Sequence, residues 1–279
     1  MKIIFLTGFA LMGMLLWGSM VYQQSDHRTV ADTLTEQDTL LAMIEEKVAL
    51  KVEQQKIADE FRKRKLPRNY TEKIQKYLPI IKKYSDRYEL DWRLIVAQIL
   101  KESYFRENAR SHVGAMGLMQ IMPRTAREIT RELDIAYISK DPQENIAAGI
   151  YYMYKQLKYF SDSTPEHQLK LALAAYNCGT ARIFDAQDIA RFKGLDPNAW
   201  NNGVRECLPL LTRESGKLHL EVWEQGEPNY GYFNGSDETV DYVDDIYHKY
   251  QILKTIYPQH GTSLGSLEQP AGEDLIAAR

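Results

Sequence analysis

Glu102 is the side chain in this sequence best suited to moving a proton. It closes the run Asp91-Trp-Arg-Leu-Ile-Val-Ala-Gln-Ile-Leu-Lys-Glu102-Ser103. Trp92, Ile95, Val96 and Ile99 recur there at helical spacing, and Glu102, two turns beyond Ile95, falls on the same face. A carboxyl on a core-facing stripe loses hydration, which disfavours its charged form and raises its pKa. A glutamic acid held that way can donate a proton near neutral pH. The bland reading is a helix-end Glu that reaches water or pairs with Arg106. Position alone leaves both open.

The residues after Glu102 add a site around it. Gly114 and Gly117 break the helix and let backbone approach a ligand. Gln120 carries both a donor and an acceptor, and Met119 and Met122 carry adaptable apolar surface. Five segments then follow in order: Glu102-Ser103, Gly117-Leu-Met-Gln120-Ile-Met-Pro123, Asn145-Ile-Ala-Ala-Gly149, Ala175-Tyr176-Asn177-Cys-Gly179 and Glu238-Thr239-Val-Asp-Tyr242-Val243. Their order resembles the catalytic core of the soluble-type (SLT) lytic transglycosylases, lysozyme-superfamily enzymes that cleave peptidoglycan. The resemblance spans about 75–257. Asp196-Pro-Asn-Ala-Trp200 and Tyr230-Gly-Tyr-Phe-Asn-Gly235 bring it nearest the membrane-bound F-type branch. Members of that branch carry a solute-binding-like domain ahead of the catalytic one. The space before residue 70 is too short for such a domain, so its regulation is not expected here.

The resemblance implies the chemistry. Glycoside cleavage ordinarily takes two carboxylates, and the matched segments offer one, Glu102. In the family's mechanism that residue protonates the oxygen between N-acetylmuramic acid and N-acetylglucosamine. It then acts as base toward the muramic C6 hydroxyl, which closes a 1,6-anhydro ring without water. The resemblance puts Ser111 beside the glutamate as a hydrogen-bond partner, and Gln120, Met122, Tyr176, Asn177 and Tyr242 around the sugars. Ser103 and Met119 complete the expected substrate-binding set. Each has a duller duty open to it: Ser103 or Ser111 capping a turn, a methionine filling the core, a tyrosine buried with a bonded hydroxyl, Asn177 closing a helix end. Cys178 departs from the alanine usual between Asn and Gly. Two other readings stay in view: a hydrolytic goose-type muramidase that uses a second carboxylate to activate water, for which Glu107 and Glu128 are near in sequence but outside any recognisable pair, and a peptidoglycan-binding protein without turnover.

The elements that position these groups read as mainly α, a lysozyme-like (goose-type, SLT) domain. Asp141-Pro142-x-Glu144 predicts an N-cap, a first-turn proline and a capping partner. The helix they open puts Ile146, Ile150, Met153, Leu157 and Phe160 on one stripe. Thr164-Pro165 opens another, with Leu169, Ala172, Leu173 and Tyr176 on its stripe and Gly179 as C-cap. A last helix starts near Ser236, with Val240, Val243, Tyr247, Tyr250 and Leu253 inward. From 194 to 235 the chain reads as an aromatic, loop-rich stretch, whose Trp200, Trp223, Tyr230, Tyr232 and Phe233 pack on the core or stack on sugars.

Ahead of the domain, Ile3 to Tyr22 is uncharged and long enough to span a bilayer. The expected organisation is a signal anchor at 1–24, a helical stalk at 25–69, the catalytic domain at 70–257 and a disordered tail at 258–279. That arrangement tethers the chain through 3–22 in the bacterial cell envelope, with its catalytic domain in the periplasm. The net charge of -3, with signs interspersed, offers no nucleic-acid surface. Cys178 and Cys207 make no zinc spacing, so neither metal nor cofactor is expected; the two could pair or stay as small buried thiols. The expected partner is the peptidoglycan glycan strand.

Overall fold

In the computed structural model the described residues are 43–45, 47–49, 52, 56, 70–133 and 135–258. The chain divides into two units, Met1–Asp59 and Glu60–Arg279. The described residues of the first unit are helical and expose Met43, Ile44, Val48 and Val52. The apolar run 3–22, most of the expected stalk and the tail after 258 lie outside the described residues. Among the described residues no helix is long and apolar enough to cross a membrane.

The second unit is helical, as its periodicity predicts. Its helices are α1 (Tyr70–Arg87), α2 (Trp92–Glu102), α3 (Pro123–Leu133), α4 (Pro142–Tyr159), α5 (Pro165–Cys178), α6 (Thr180–Phe192), α7 (Gly216–Val222) and α8 (Ser236–Ile256). The buried run Lys170–Ala175 makes α5 the centre of the core, packed by α4, α6 and α8. A helix apolar on nearly every side has nowhere else to go. The other face of α8 lies along α2. That packing brings the two ends of the matched sequence together.

Local chemistry sets the boundaries. The Asp91 carboxylate accepts the Arg93 N–H (3.0 Å) and starts α2. Asp141 accepts the N–H groups of Gln143 (2.7 Å) and Glu144 (3.0 Å), with Pro142 in the first turn of α4. Glu144 does not return to the cap as the capping-box pattern predicts. The Asp141 N–H already donates to the Tyr137 carbonyl (2.8 Å), so Glu144 accepts the Tyr137 N–H instead (2.5 Å). Thr164 precedes α5 without a side-chain cap bond, and Gly179, at φ +90°, closes it.

The stretch read as loop is more helical than expected. After a kink at Trp200–Val204, where Asn201, Asn202 and Gly203 are not helical, short helical turns run through Arg205–Cys207, Leu208–Leu211 and Arg213–Ser215 into α7. Each is too short to print a period, and burial of Trp200, Val204, Cys207, Leu208 and Leu211 organises them instead. Packing is also the duty of Trp200 and Trp223, while Tyr230 stands exposed. The thiols of Cys178 and Cys207 are free.

Candidate active site

Glu102 is the last residue of α2, where the helix leaves its carbonyls unpaired and a negative charge is least welcome. The residue is half-buried. The hydroxyl of Tyr242, a buried residue of α8, donates to Glu102 Oε1 at 2.5 Å. Gln98, one turn before Glu102 on α2, donates from Nε2 to the Tyr242 oxygen at 3.3 Å. With that oxygen accepting from the amide, the phenolic proton is directed at the carboxyl. Arg106 does not pair with Glu102; its Nε donates to the Ser103 carbonyl (3.0 Å). Lys101 bridges to Asp245 at 3.3 Å. Burial therefore dominates and pushes the Glu102 carboxyl up to about 7, against smaller downward pulls from the Tyr242 hydroxyl and Lys101.

The loop 103–122 is held by isolated backbone bonds and by side chains rather than by a sheet. Antiparallel bridges join Arg110 to Met116 and Met116 to Ile121. Asn145, buried in the first turns of α4, does the rest. Its Oδ1 accepts the Met119 N–H (2.8 Å), and its Nδ2 donates to the carbonyls of Met116 and Ile138 (3.0 Å each). Gly117 sits against it at φ +82°, where a Cβ would come within 2.4 Å of the Asn145 amide. Only glycine suits that conformation and that contact together.

Several residues expected at the sugars take part in this scaffold. Ser103 is buried, with its hydroxyl donating to the Leu118 carbonyl (2.8 Å). The Met119 side chain is wholly buried against Gly149, where a Cβ would meet its sulfur at 2.3 Å, so it belongs to the core. The Ser111 hydroxyl accepts the Ala115 N–H (2.9 Å) and closes a turn, while the hydrogen bond Glu102 receives is from Tyr242. Tyr242 reaches the acid itself.

The others meet at a cleft of about 290 Å³ lined by Gln120, Met122, Tyr152, Tyr176, Asn177 and Cys178, among others. Gln120, at φ +45°, donates to the carbonyls of Gly117 (2.8 Å) and Ala109 (3.1 Å). Met122 is exposed on the rim. The Tyr176 hydroxyl donates to the Met119 carbonyl at 2.9 Å. Burial first, and the Glu102 charge second, hold Tyr176 well above the usual phenol range, which ties the cleft wall to the acid. Asn177 Oδ1 accepts from the Thr239 hydroxyl of α8 (2.8 Å), so its amide nitrogen is left to donate outward. Cys178 lies beside it, its thiol pushed up to about 12 by burial and therefore a weak nucleophile.

No second acid joins Glu102 from the two considered. Glu107 accepts from Lys76 (2.7 Å) and from the Tyr77 hydroxyl, and Glu128 accepts from Lys155 (2.6 Å). Four contributors were given no role from sequence, although Asn145 and Thr239 stand in the matched segments: Gln98, Asn145, Tyr152 and Thr239. Gln98 had a signal, an amide inside the apolar run from Leu94 to Leu100, which needs a buried partner. The others depend on pairings that span the chain.

The family model for the transglycosylase SLT domain matches residues 79–198. The chain is similar to the membrane-bound lytic murein transglycosylase F of Desulfosudis oleivorans, 38% identical over 190 residues, covering 67% of this chain and 38% of that protein. It is 35% identical over 189 residues to the protein of that name from Shewanella pealeana, covering 67% of this chain and 36% of that one. Among solved structures, the X-ray structure of an inactive mutant of the lytic transglycosylase Slt from Pseudomonas aeruginosa aligns at 26% identity and a TM-score of 0.42, covering 64% of this chain and 24% of that one. The chain spans well under half the length of the curated relatives it matches.

Proposed function

Over residues 79–198 the chain belongs to the transglycosylase SLT family, and on that premise we propose that it is a lytic transglycosylase acting on peptidoglycan. One observation carries the reading. Glu102 is a half-buried residue whose carboxyl has no cationic hydrogen-bond partner and is poised near pH 7, and its charge acts on Tyr176, which lines a cleft of polar and aromatic side chains. A group with that pKa serves equally as acid and as base at neutral pH.

The reaction we infer uses it in both roles. Protonated Glu102 gives its proton to the oxygen bridging N-acetylmuramic acid and N-acetylglucosamine as the bond from C1 breaks. The carboxylate left behind accepts the proton of the muramic C6 hydroxyl, whose oxygen bonds to C1. The 1,6-anhydro ring forms, the glutamic acid is restored and no water enters. Tyr242 donates to the carboxylate between the two steps, and Gln98 keeps it aimed. Asn177, Gln120 and Tyr176 are the polar groups available to hold the sugars, with Met122 at the rim. The engagement of Glu107 and Glu128 with lysines supports a single-acid reaction over a hydrolytic pair. The curated relatives are named membrane-bound, and the uncharged run 3–22 would supply such an attachment, with the substrate in the cell envelope.

Digestion of purified sacculi by the full-length protein, read by mass spectrometry, tests the proposal. Anhydro-muropeptides from the native protein and none from Glu102→Gln are expected. Intact murein after treatment with the native protein would overturn it.

A further inference from the structure

A pair of charged residues outside the cleft grips the segment that leads into α8. Arg182 and Asp185 lie one turn apart on α6, which begins just past the cleft residues Asn177, Cys178 and Gly179. The side chains of both end on the backbone of 229–235, a strap that runs up to the start of α8. Arg182 donates from Nη1 to the carbonyls of Tyr230 and Gly231. Its guanidinium also lies over the Phe233 ring, 6.0 Å from the centroid. Asp185 Oδ2 accepts the Tyr230 N–H at 3.0 Å. Asp185 is wholly buried, and its Oδ1 has no hydrogen-bond partner among the described residues. Burial pushes its carboxyl upward, and the hydrogen bonds that pull it back come from the strap, from the N–H groups of Tyr230 and Asn229.

The strap matters because α8 has no cap of its own. Gly235 precedes the helix and no side chain caps it, so the segment leading in fixes where the first turn lies. Thr239 stands buried at the end of that turn. Its hydroxyl lies 3.0 Å from the carbonyl of Gly235, the last residue of the strap, and 2.8 Å from Asn177 Oδ1 at the cleft. A hydroxyl has one proton to give, so the placing of Gly235 decides how that proton is divided. One turn further along α8, Tyr242 is held separately, by Gln98 and Glu102 of α2.

We propose that Arg182 and Asp185 are positioning residues for the sugar-holding amide of Asn177, acting through the strap and Thr239. The inference rests on the proposed activity for the identity of the sugar. Through this relay the pair on α6 sets how tightly the glycan is held, and the proton transfer at Glu102 is left to α2 and Tyr242.

The experiment compares the full-length protein in detergent with Arg182→Ala, Arg182→Lys, Thr239→Val and the Arg182→Ala/Thr239→Val double variant. One readout is the side-chain amide signals of Asn177 by NMR, identified by their loss in Asn177→Ala. The other is turnover of glycan strands. Arg182→Ala should shift and broaden the Asn177 signals. It should raise KM about tenfold, with kcat and the alkaline limb of the pH–rate profile unchanged. Arg182→Lys, which still donates to the strap carbonyls, should restore both readouts. The double variant should be no worse than Thr239→Val alone. Unmoved Asn177 signals in Arg182→Ala, a fall in kcat with KM unchanged, or additive losses in the double variant would overturn the relay. Asn177 signals that depend on Arg182, in a native protein that turns over no strands, would keep the relay and sink the proposed activity instead.

Discussion

The two ends of α2 carry two carboxyls in opposite states. Each accepts a hydrogen bond from a tyrosine of α8: Asp91 from Tyr250 (2.9 Å) and Glu102 from Tyr242 (2.5 Å). At the start of the helix, burial pushes Asp91 upward. The Arg93 side chain and N–H and the Tyr250 hydroxyl outweigh it and hold the group below its usual range. At the end of the helix burial meets no guanidinium, and Glu102 rises to about 7. The helix dipole works the same way, favouring an anion at the first turn and opposing one at the last. Two carboxyls on one helix, both touched by tyrosines, thus become a structural anion and, in the proposed reaction, a proton donor. A tyrosine does not decide the role; the presence or absence of a paired cation does.

The largest way to break this comparison is to remove the acid. Glu102→Gln should cut turnover of sacculi by about 10³-fold or more while the circular dichroism spectrum is kept, because the amide still accepts from Tyr242. At the other end, Asp91→Ala removes a helix cap and the ionic partner of the buried Arg93. Urea unfolding should lose about 3–5 kcal/mol, with activity per folded molecule preserved.

The two ends also predict opposite pH dependences. The folded value of Glu102 lies above its ordinary 4.5, so its contribution to stability is full below about pH 4.5 and is lost as pH rises through 7. Glu102→Gln should therefore be the more stable protein at pH 8, by on the order of 3 kcal/mol, with the gap closing at pH 4. Asp91, lowered in the fold, contributes above its unfolded value and loses that contribution as pH falls through its folded one. Melting curves of the native protein and Glu102→Gln across that range check the first trend; a gap that widens on acidification would contradict it.

The smallest effect is the most diagnostic. Tyr242→Phe costs about 1 kcal/mol of stability and removes a hydrogen bond that lowers the Glu102 pKa. In the proposed reaction turnover needs the protonated acid and falls as pH rises through its pKa, so this variant should shift the alkaline limb of the pH–rate profile upward. Tyr250→Phe should leave that limb in place. A limb that moves with Tyr250 would erase the distinction between the two ends.

How much of this was readable depended on distance along the chain. The helices from Trp92, Pro142, Pro165 and Ser236 are local, written in caps, prolines and apolar periods, and they begin where those signals put them. Glu102 could be singled out because its stripe is local too. What holds it was not: Tyr242 is buried beside Glu102 only because α8 lies along α2, and no pattern around Tyr242 states that. Met119 and Met122 are alike in sequence, and it takes Gly149 on α4 to send one into the core and leave the other at the rim. Asn145 reads as one polar residue near a helix start, yet two backbone bonds of a distant loop end on it, with a third from Ile138 just ahead of its own helix. The turns from 200 to 215 escaped because packing, with no repeat long enough to see, gives them shape.

The central claim is that one carboxyl cleaves the glycan while the sugar supplies its own nucleophile. Digesting sacculi with the native protein in ¹⁸O-labelled water, with the new glycan ends read by mass spectrometry, tests it most directly. The account predicts anhydro ends free of label. Reducing ends carrying ¹⁸O would contradict it, since they require a water that the lone Glu102 reaction does not use.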